Sequence, residues 1–214
     1  MKWNKYFILN IEPDNAIVSG CVRILKSRYG IPSTRNFYVR GFNADLYSDV
    51  RPTIFDASPL SPTAFATVDR ASKLMIVGHG TAWGLCEMDL GPLADLLEKT
   101  GLREVGLISF KACLIGKLSS LDILSLYLKI RKINHGWLIG YLENALLPLP
   151  KSGNPWHIRI DTDEDMYLHS EFGYKSADCD RIRLVKGNID VILPGTRRFS
   201  STSPRLCTRR LRLT

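Results

Sequence analysis

Two residues with chemically reactive side chains follow apolar segments of this chain. His79 lies between two glycines directly after the segment KLMIVG (73–78), and Cys113 ends the segment EVGLISFKAC (104–113). A thiol beside an imidazole is the minimal unit of a cysteine hydrolase, in which the thiolate attacks a carbonyl carbon and the imidazole moves the proton. The pair predicts nucleophilic catalysis, provided that the fold brings the two residues together.

Each of these residues alone has an ordinary structural explanation. A cysteine in an apolar strand is most often a small core residue, and a histidine between glycines is most often an exposed turn residue. At the ends of consecutive parallel strands, however, both face the crevice in which open sheets bind ligands. The N–H groups of Gly80 and Cys113 would then form an oxyanion hole. We therefore favour catalysis.

The surrounding sequence predicts the elements that position this pair. Short apolar runs alternate with segments whose apolar residues recur at helical spacing, which is the pattern of a β-α-β-α-β unit. It predicts an α/β fold with a mostly parallel sheet flanked by helices on both faces. The predicted strands are 5–11, 36–42, 73–78, 104–113 and 136–142, and the predicted helices are 14–30, 89–102 and 118–133.

A single domain is predicted for residues 1–195. Within it, 43–72 is irregular and proline-containing and predicts a long covering loop. The segments RIRLV and IDVIL, joined by KGN, predict a C-terminal β-hairpin flap over 181–193. Residues 196–214 are basic and low in apolar content, which predicts a tail.

The same patterns predict the positions of several single residues in the fold. Cys21 falls on an apolar helix face and is predicted to lie in the core. Ile130 is predicted to face inward with the leucines of its helix, and His135 is predicted to end that helix, where a cation is favourable. Glu12 and Pro13 are interpreted as the end of the first strand.

The net charge of +8 is confined to one part of the chain. Residues 181–214 carry nine basic residues and one acidic residue, whereas the rest is balanced. A localised basic segment predicts an anionic partner, which would be a phosphate-rich ligand, nucleic acid or a membrane surface. For the last ten residues a solvated tail is the favoured interpretation.

Composition excludes several classes of protein. Five widely spaced cysteines without a Cys-x-x-Cys motif argue against a disulfide framework and a zinc site, and favour a reducing compartment. No apolar run is long enough for a transmembrane segment, and the N-terminal stretch lacks a signal-peptide cleavage site. Neither the phosphate-binding motif Gly-x-x-x-x-Gly-Lys nor the dinucleotide-binding motif Gly-x-Gly-x-x-Gly is present, which argues against a nucleotide-binding enzyme.

The segments LMIVGHG and VGLISFKAC resemble the caspase-like superfamily of cysteine peptidases, whose members carry His-Gly and Ala-Cys or Gly-Cys after two apolar blocks. The chain is most similar to the self-processing cysteine peptidase domain of bacterial toxins and related secreted effectors. The resemblance covers roughly 73–141. It implies that His79 is the general acid/base, that Cys113 is the nucleophile, and that the amides of Gly80 and Cys113 form the oxyanion hole.

This chain departs from the family pattern beside the cysteine. Lys111 occupies the position of a caspase glutamine, and Leu114 follows Cys113 where toxin domains usually carry serine. Lys111 lies on the same strand face as Cys113 and would either favour the thiolate or be a solvated strand-end charge. The solvated interpretation is favoured, and the departures affect substrate preference more than the reaction.

The resemblance also implies activation by inositol hexakisphosphate, bound in a basic cleft under a β-flap, with no cofactor or metal for the chemistry itself. Glu143, just past the third strand of the unit, is predicted either to contact substrate or to be an exposed loop charge. The candidate phosphate-binding residues are Lys129, Arg131, Lys132, Arg181, Arg183, Lys186, Arg197 and Arg198.

The sequence therefore predicts a caspase-like cysteine endopeptidase that acts on a protein or peptide substrate, as a secreted effector or toxin peptidase in a host cytoplasm. No nucleic-acid partner is expected for such an enzyme. The alternative is a non-catalytic α/β module whose basic C-terminal segment binds nucleic acid or membrane. A thiol acyltransferase with the same nucleophile is a third hypothesis.

Overall fold

A seven-stranded sheet and three helices make up the described part of the computed structural model, which is residues 3–39, 56–85, 88–142 and 182–193. The α/β class with a mostly parallel sheet flanked by helices is confirmed. The elements are β1 (Lys5–Asn10), α1 (Ala16–Tyr29), β2 (Asn36–Tyr38), β3 (Ser58–Pro59), β4 (Ser72–Val77), α2 (Leu90–Lys99), β5 (Glu104–Lys111), α3 (Ser120–Ile130), β6 (Asn134–Tyr141) and β7 (Ile182–Lys186).

The strand order is β3-β2-β1-β4-β5-β6-β7, and the pairs are parallel except for β6 with β7. The order reverses between β1 and β4, so the sheet is doubly wound. Helix α1 packs on one face, against Ile8, Met75 and Val77. Helices α2 and α3 pack on the other face, in the larger core cluster. In such sheets the ligand crevice lies at the carboxyl ends of the strands beside the reversal.

Helix α1 (Ala16–Tyr29) lies within the predicted range 14–30. The Asn15 side chain accepts hydrogen bonds from the N–H groups of Ile17 and Val18, at 3.0 and 3.2 Å, which satisfies donors that have no partner within the helix. Gly30 ends the helix at φ +60°, a conformation that glycine adopts without strain. Cys21 lies in the core, as predicted, and burial raises the pKa of its thiol to about 11.

The predicted covering loop 43–72 is partly built into the fold. Its last residue, Ser72, begins β4, and β3 within it pairs with β2. The Phe65 side chain is fully buried, with its ring edge-on to the rings of Phe7 and Phe37. This stretch therefore contributes to the core rather than only covering it. Residues 43–55 lie outside the described residues.

The prediction of a β-hairpin over 181–193 is wrong. Its first strand, β7, pairs with β6, and residues 190–193 form no strand. The turn is held by β6 itself, because the Gly187 N–H donates to the Gly136 carbonyl at 2.7 Å and Trp137 Nε1–H donates to the Val191 carbonyl at 2.7 Å. The polar groups at the edge of β6 therefore form hydrogen bonds with residues 182–191, which were expected to pair with each other. Residue 181 and the predicted tail 196–214 lie outside the described residues.

Two placements near the end of α3 are wrong. Ile130 is 64% exposed, and Ile133, beyond the helix end, fills the core instead. The chain turns between them, with Lys132 at φ +57°. His135 does not end a helix but lies fully buried in β6. Its Nδ1–H donates to the Ile133 carbonyl at 3.3 Å, and the Ser125 hydroxyl donates to Nε2 at 2.9 Å.

Burial of His135 makes stability depend on pH. Burial lowers the pKa of His135 below its ordinary value, so the unfolded chain binds this proton first as pH falls. The free energy of unfolding should therefore decrease below about pH 6.5 and continue to fall until the folded-state pKa is reached. Urea unfolding at about pH 7 and about pH 5 should show a smaller loss in His135→Gln than in the wild type. Equal losses would contradict this assignment.

Candidate active site

The carboxyl ends of three neighbouring strands lie level at one edge of the sheet. Asn10, the last residue of β1, pairs with Val77, the last residue of β4, which pairs with Lys111 at the end of β5. Hydrogen bonds continue past these ends, from the Ile11 N–H to the Val77 carbonyl at 3.1 Å and from the Gly78 N–H to the Lys111 carbonyl at 3.4 Å. The hydrogen bonding of the sheet therefore continues one residue beyond β1 and β4.

Glu12, His79 and Cys113 each lie two residues beyond the last residue of their strand, and the three strands are neighbours in the sheet. The chain bends directly after each strand, at Ile11, at Gly78 and at Ala112–Cys113, so the three residues lie in the turns that follow the strands. They lie beside the reversal in strand order, where doubly wound sheets bind ligands. The structure thus places the two predicted residues on neighbouring strands and adds Glu12 on the third.

Two glycines allow the histidine loop to pack closely on both neighbours. A Cβ on Gly80 would lie 2.3 Å from the carbonyl oxygen and 3.1 Å from the nitrogen of Cys113, and a Cβ on Gly78 would lie 2.4 Å from Ile11 Cγ1. The distances of 2.3 and 2.4 Å are too short for any side chain unless a neighbour moves. The Gly80 backbone therefore packs directly against the Cys113 backbone, with the Cys113 carbonyl oxygen nearest to it.

Glu12 holds the imidazole of His79. Its carboxylate oxygens lie 3.1 and 3.0 Å from His79 Nδ1, and Oε2 also accepts the His79 backbone N–H. The Glu12 side chain is only 13% exposed, whereas the His79 side chain is 44% exposed. A carboxylate at Nδ1 keeps the proton on that nitrogen, which leaves Nε2 as the basic nitrogen on the opposite edge of the ring. Glu12 follows β1 and Cys113 follows β5, and these two strands flank β4 on opposite sides.

Glu12 was not predicted as a site residue, because its position after the first apolar run was interpreted as the end of a strand. Glu12 lies two residues after β1, just as His79 and Cys113 lie two residues after their strands. This shared position is the sequence feature that could have identified Glu12. The Glu12 N–H donates to Asn10 Oδ1 at 3.0 Å, and Asn10 is itself buried. The carboxylate is thus attached to a backbone whose position is set by the sheet.

A sharp turn follows Cys113 and leaves it partly exposed. Leu114 has φ +57°, a left-handed conformation that is uncommon for a branched residue, so the chain reverses directly after the thiol. The turn is anchored, because Ile115 is fully buried and the Gly116 N–H donates to the Tyr141 carbonyl at 2.8 Å. The thiol therefore lies on a strained turn that is held by β6.

Lys111 is buried, so the favoured solvated interpretation is wrong. It is 7% exposed, and its Nζ lies 3.4 Å from Tyr141 Oη and 5.5 Å from the centre of the Tyr141 ring. The position has strands on both sides, which removes the solvent that a strand-end lysine would normally find. Its charge also acts on Cys21, whose pKa it lowers against the larger effect of burial.

The predicted phosphate-binding residues divide between the two ends of α3. Arg183 forms an ion pair with Asp122 in the first turn of the helix. Lys129, Arg131 and Lys132 lie at its other end, on the order of 10 Å away along the helix. The structure does not bring these described residues together. The remaining predicted site residues, Glu143, Arg181, Arg197 and Arg198, lie outside the described residues.

Several of these basic side chains are already paired with carboxylates. Arg131 contacts Asp95, and Lys186 contacts the exposed Asp190 at 2.8 Å. Exposed pairs of this kind stabilise little and can open for a stronger anion. They nevertheless reduce the positive charge that the described residues would offer to a polyphosphate.

The described fold and site define a doubly wound α/β protein with a thiol, an imidazole and a carboxylate at the ends of three adjacent strands. No protein-family model matches this chain, and no curated protein matches it. In the described ranges, no helix is long and apolar enough to cross a membrane, and no His, Cys, Asp and Glu residues are grouped to hold a metal ion.

Proposed function

We propose that this protein is a cysteine endopeptidase of caspase-like type, with Cys113 as nucleophile and His79 as general acid/base. The observation that carries the proposal is the contact between the Glu12 carboxylate and His79 Nδ1, with Glu12 and Cys113 on strands that flank β4 on opposite sides. A carboxylate in this position is what an imidazole needs in order to take a proton from a thiol on the other side. The resemblance of the segments around His79 and Cys113 to caspase-like peptidases supports the same chemistry.

In the first half of the reaction, His79 Nε2 accepts the thiol proton and the Cys113 sulfur attacks the carbonyl carbon of the peptide bond. Glu12 stabilises the imidazolium that forms. The negative charge on the carbonyl oxygen is stabilised by the N–H groups of Gly80 and Cys113, whose backbones are in contact.

In the second half, the C–N bond breaks and the imidazolium donates its proton to the leaving amine, which leaves a thioester on Cys113. Water then attacks the thioester while Nε2 accepts its proton. The carboxylic acid product departs and the thiol is regenerated. This chain's own residues supply each proton transfer, so we expect no cofactor or metal for the chemistry.

The resemblance to toxin peptidase domains extends the proposal to the biological setting. It favours a secreted effector that acts on a protein or peptide substrate in a host cytoplasm, with processing of its own chain as one candidate reaction. The cysteines support a reducing setting, because Cys21 and Cys113 are both thiols.

Activation by inositol hexakisphosphate is a further part of the proposal, with less support from the described residues. Isothermal titration should show heat of binding at physiological salt, weakened in Lys129→Gln/Lys132→Gln if the end of α3 takes part. Absence of heat with the wild type would remove inositol phosphate from the proposal and leave the cysteine chemistry untouched.

Selective alkylation tests the proposed function directly. Iodoacetamide should label Cys113 at least about tenfold faster than the other four cysteines, because the imidazole favours the reactive thiolate. Cys21 is an internal reference, since burial raises its pKa to about 11. His79→Ala should remove the preference, as measured by mass spectrometry of the labelled peptides.

Equal labelling of the cysteines would favour the alternative of a non-catalytic binding module. The observation behind that alternative is the excess of positive charge in residues 181–214. A thiol acyltransferase would show the same selective labelling as a peptidase. Product analysis separates the two enzymes, because only the acyltransferase passes the acyl group to an acceptor other than water.

A further inference from the structure

The outer face of α3 is apolar although it faces solvent. Ile123, Leu126 and Ile130 are 43, 56 and 64% exposed, and their spacing of three and four residues places them in one stripe. The leucines on the other side of this helix are buried in the core. A helix that is apolar on both sides is expected to be covered on both sides.

The stripe continues into the neighbouring loops. Leu118, just before the helix, is 52% exposed, and Trp83 is 76% exposed. The Ser120 hydroxyl donates to the Ala82 carbonyl, which holds the loop containing Trp83 beside the first turn of α3. Five of the seven large apolar residues that are exposed in the described part of the chain lie here. We call Trp83, Leu118, Ile123, Leu126 and Ile130 the α3 patch.

The surroundings of the α3 patch are positively charged. The carboxylates of Asp122 and Asp95 are paired with Arg183 and Arg131, so neither offsets other cations nearby. The exposed lysines that flank the helix are Lys117, Lys129 and Lys132.

We propose that the α3 patch binds the surface of an anionic lipid bilayer. Aliphatic side chains and a tryptophan beside lysines are the composition that binds the headgroup region, where apolar groups enter the interface and cations contact anionic headgroups. The α3 patch contains no residue of the basic segment 181–214, and its role does not depend on cysteine chemistry.

Two other occupants fit the surface less well. The outward side of one helix is convex, whereas peptides of matching character bind in grooves. A second copy of this chain would bring the same lysines against each other across a two-fold axis, which costs free energy. A bilayer with anionic lipids has a flat, negatively charged surface above an apolar interior, so it matches this surface in both shape and charge.

Co-sedimentation of the full chain with lipid vesicles tests the proposal. The protein should sediment with phosphatidylcholine vesicles rich in phosphatidylserine, far less with phosphatidylcholine alone, and less as salt is raised. Leu126→Ser/Ile130→Ser should weaken binding by at least about tenfold. Lys129→Gln/Lys132→Gln should weaken it by about fivefold per lysine.

Matched variants identify the surface. Ile17→Ser changes an isoleucine that is 52% exposed on α1, and Arg209→Gln/Arg210→Gln changes the C-terminal basic residues, so both should bind as the wild type does. Thermal melting checks that each variant is folded. The proposal is overturned if the wild type does not sediment, if neutral vesicles bind equally, or if the α3 variants bind normally. A concentration-dependent dimer that is lost in Leu126→Ser/Ile130→Ser would assign the patch to a second copy instead.

Discussion

Cys113→Ala is expected to lower kcat/KM on a cleaved peptide by at least about 10⁴-fold, because the variant lacks the atom that forms the acyl-enzyme. A suitable peptide is one that the wild type cleaves in a mixed library, identified by mass spectrometry. Cys113 is partly exposed, so the free energy of unfolding should change by less than about 1 kcal/mol. The loss of activity would then not reflect loss of the fold.

Cys21→Ala is the matched control for Cys113→Ala. Cys21 lies in α1, buried against the sheet, and its thiol is protonated at neutral pH because burial raises its pKa to about 11. This variant should keep wild-type kcat/KM and lose some stability to the small cavity it creates. Retained cleavage in Cys113→Ala, or lost cleavage only in Cys21→Ala, would contradict the proposed nucleophile.

Glu12→Gln is expected to lower kcat by roughly 10²- to 10⁴-fold with little change in KM. The glutamine has the same shape, but its amide can donate to His79 Nδ1 and so move the ring proton to Nε2, where it blocks acceptance of the thiol proton. Glu12 acts through His79 and is therefore a positioning residue. The measurement is single-turnover cleavage, together with the alkylation rate of Cys113, which should fall in parallel.

A spectroscopic readout distinguishes this role from a merely structural one. The ¹⁵N shifts of the His79 ring should indicate Nδ1–H in the wild type and Nε2–H in Glu12→Gln. Glu12→Asp should restore part of the activity, and Asp14→Asn, an exposed acid two residues further along, should have no effect. If Glu12→Gln shows wild-type kcat, or keeps the Nδ1–H tautomer, the positioning role is refuted.

Local patterns predicted most of the architecture. The strand ends at His79 and Cys113 were predictable, because apolar runs that stop at Gly-His-Gly and Ala-Cys are features of a few consecutive residues. The limits of α1 were predictable for the same reason, since Asn15 and Gly30 act on backbone groups within one turn. The flap was mispredicted because its pairing partner, β6, lies about 45 residues earlier in the sequence.

The surroundings of single side chains were harder to predict than the elements. Lys111 was expected in solvent because strand-end lysines usually are, and only the neighbouring strand that carries Tyr141 shows that it is buried. Ile130 was expected in the core because it continues an apolar pattern, yet the chain turns beyond it and Ile133 takes that place.

The sequence by itself determined that a thiol and an imidazole each follow an apolar strand in an α/β fold, because periodicity and turn residues are local properties. Only the tertiary structure decided that Glu12 belongs to the same site. Glu12 and His79 are 67 residues apart, and they meet because β1 inserts beside β4 at the centre of the sheet, where the strand order reverses. Strand order results from how whole layers cover their apolar faces, so no single segment contains it.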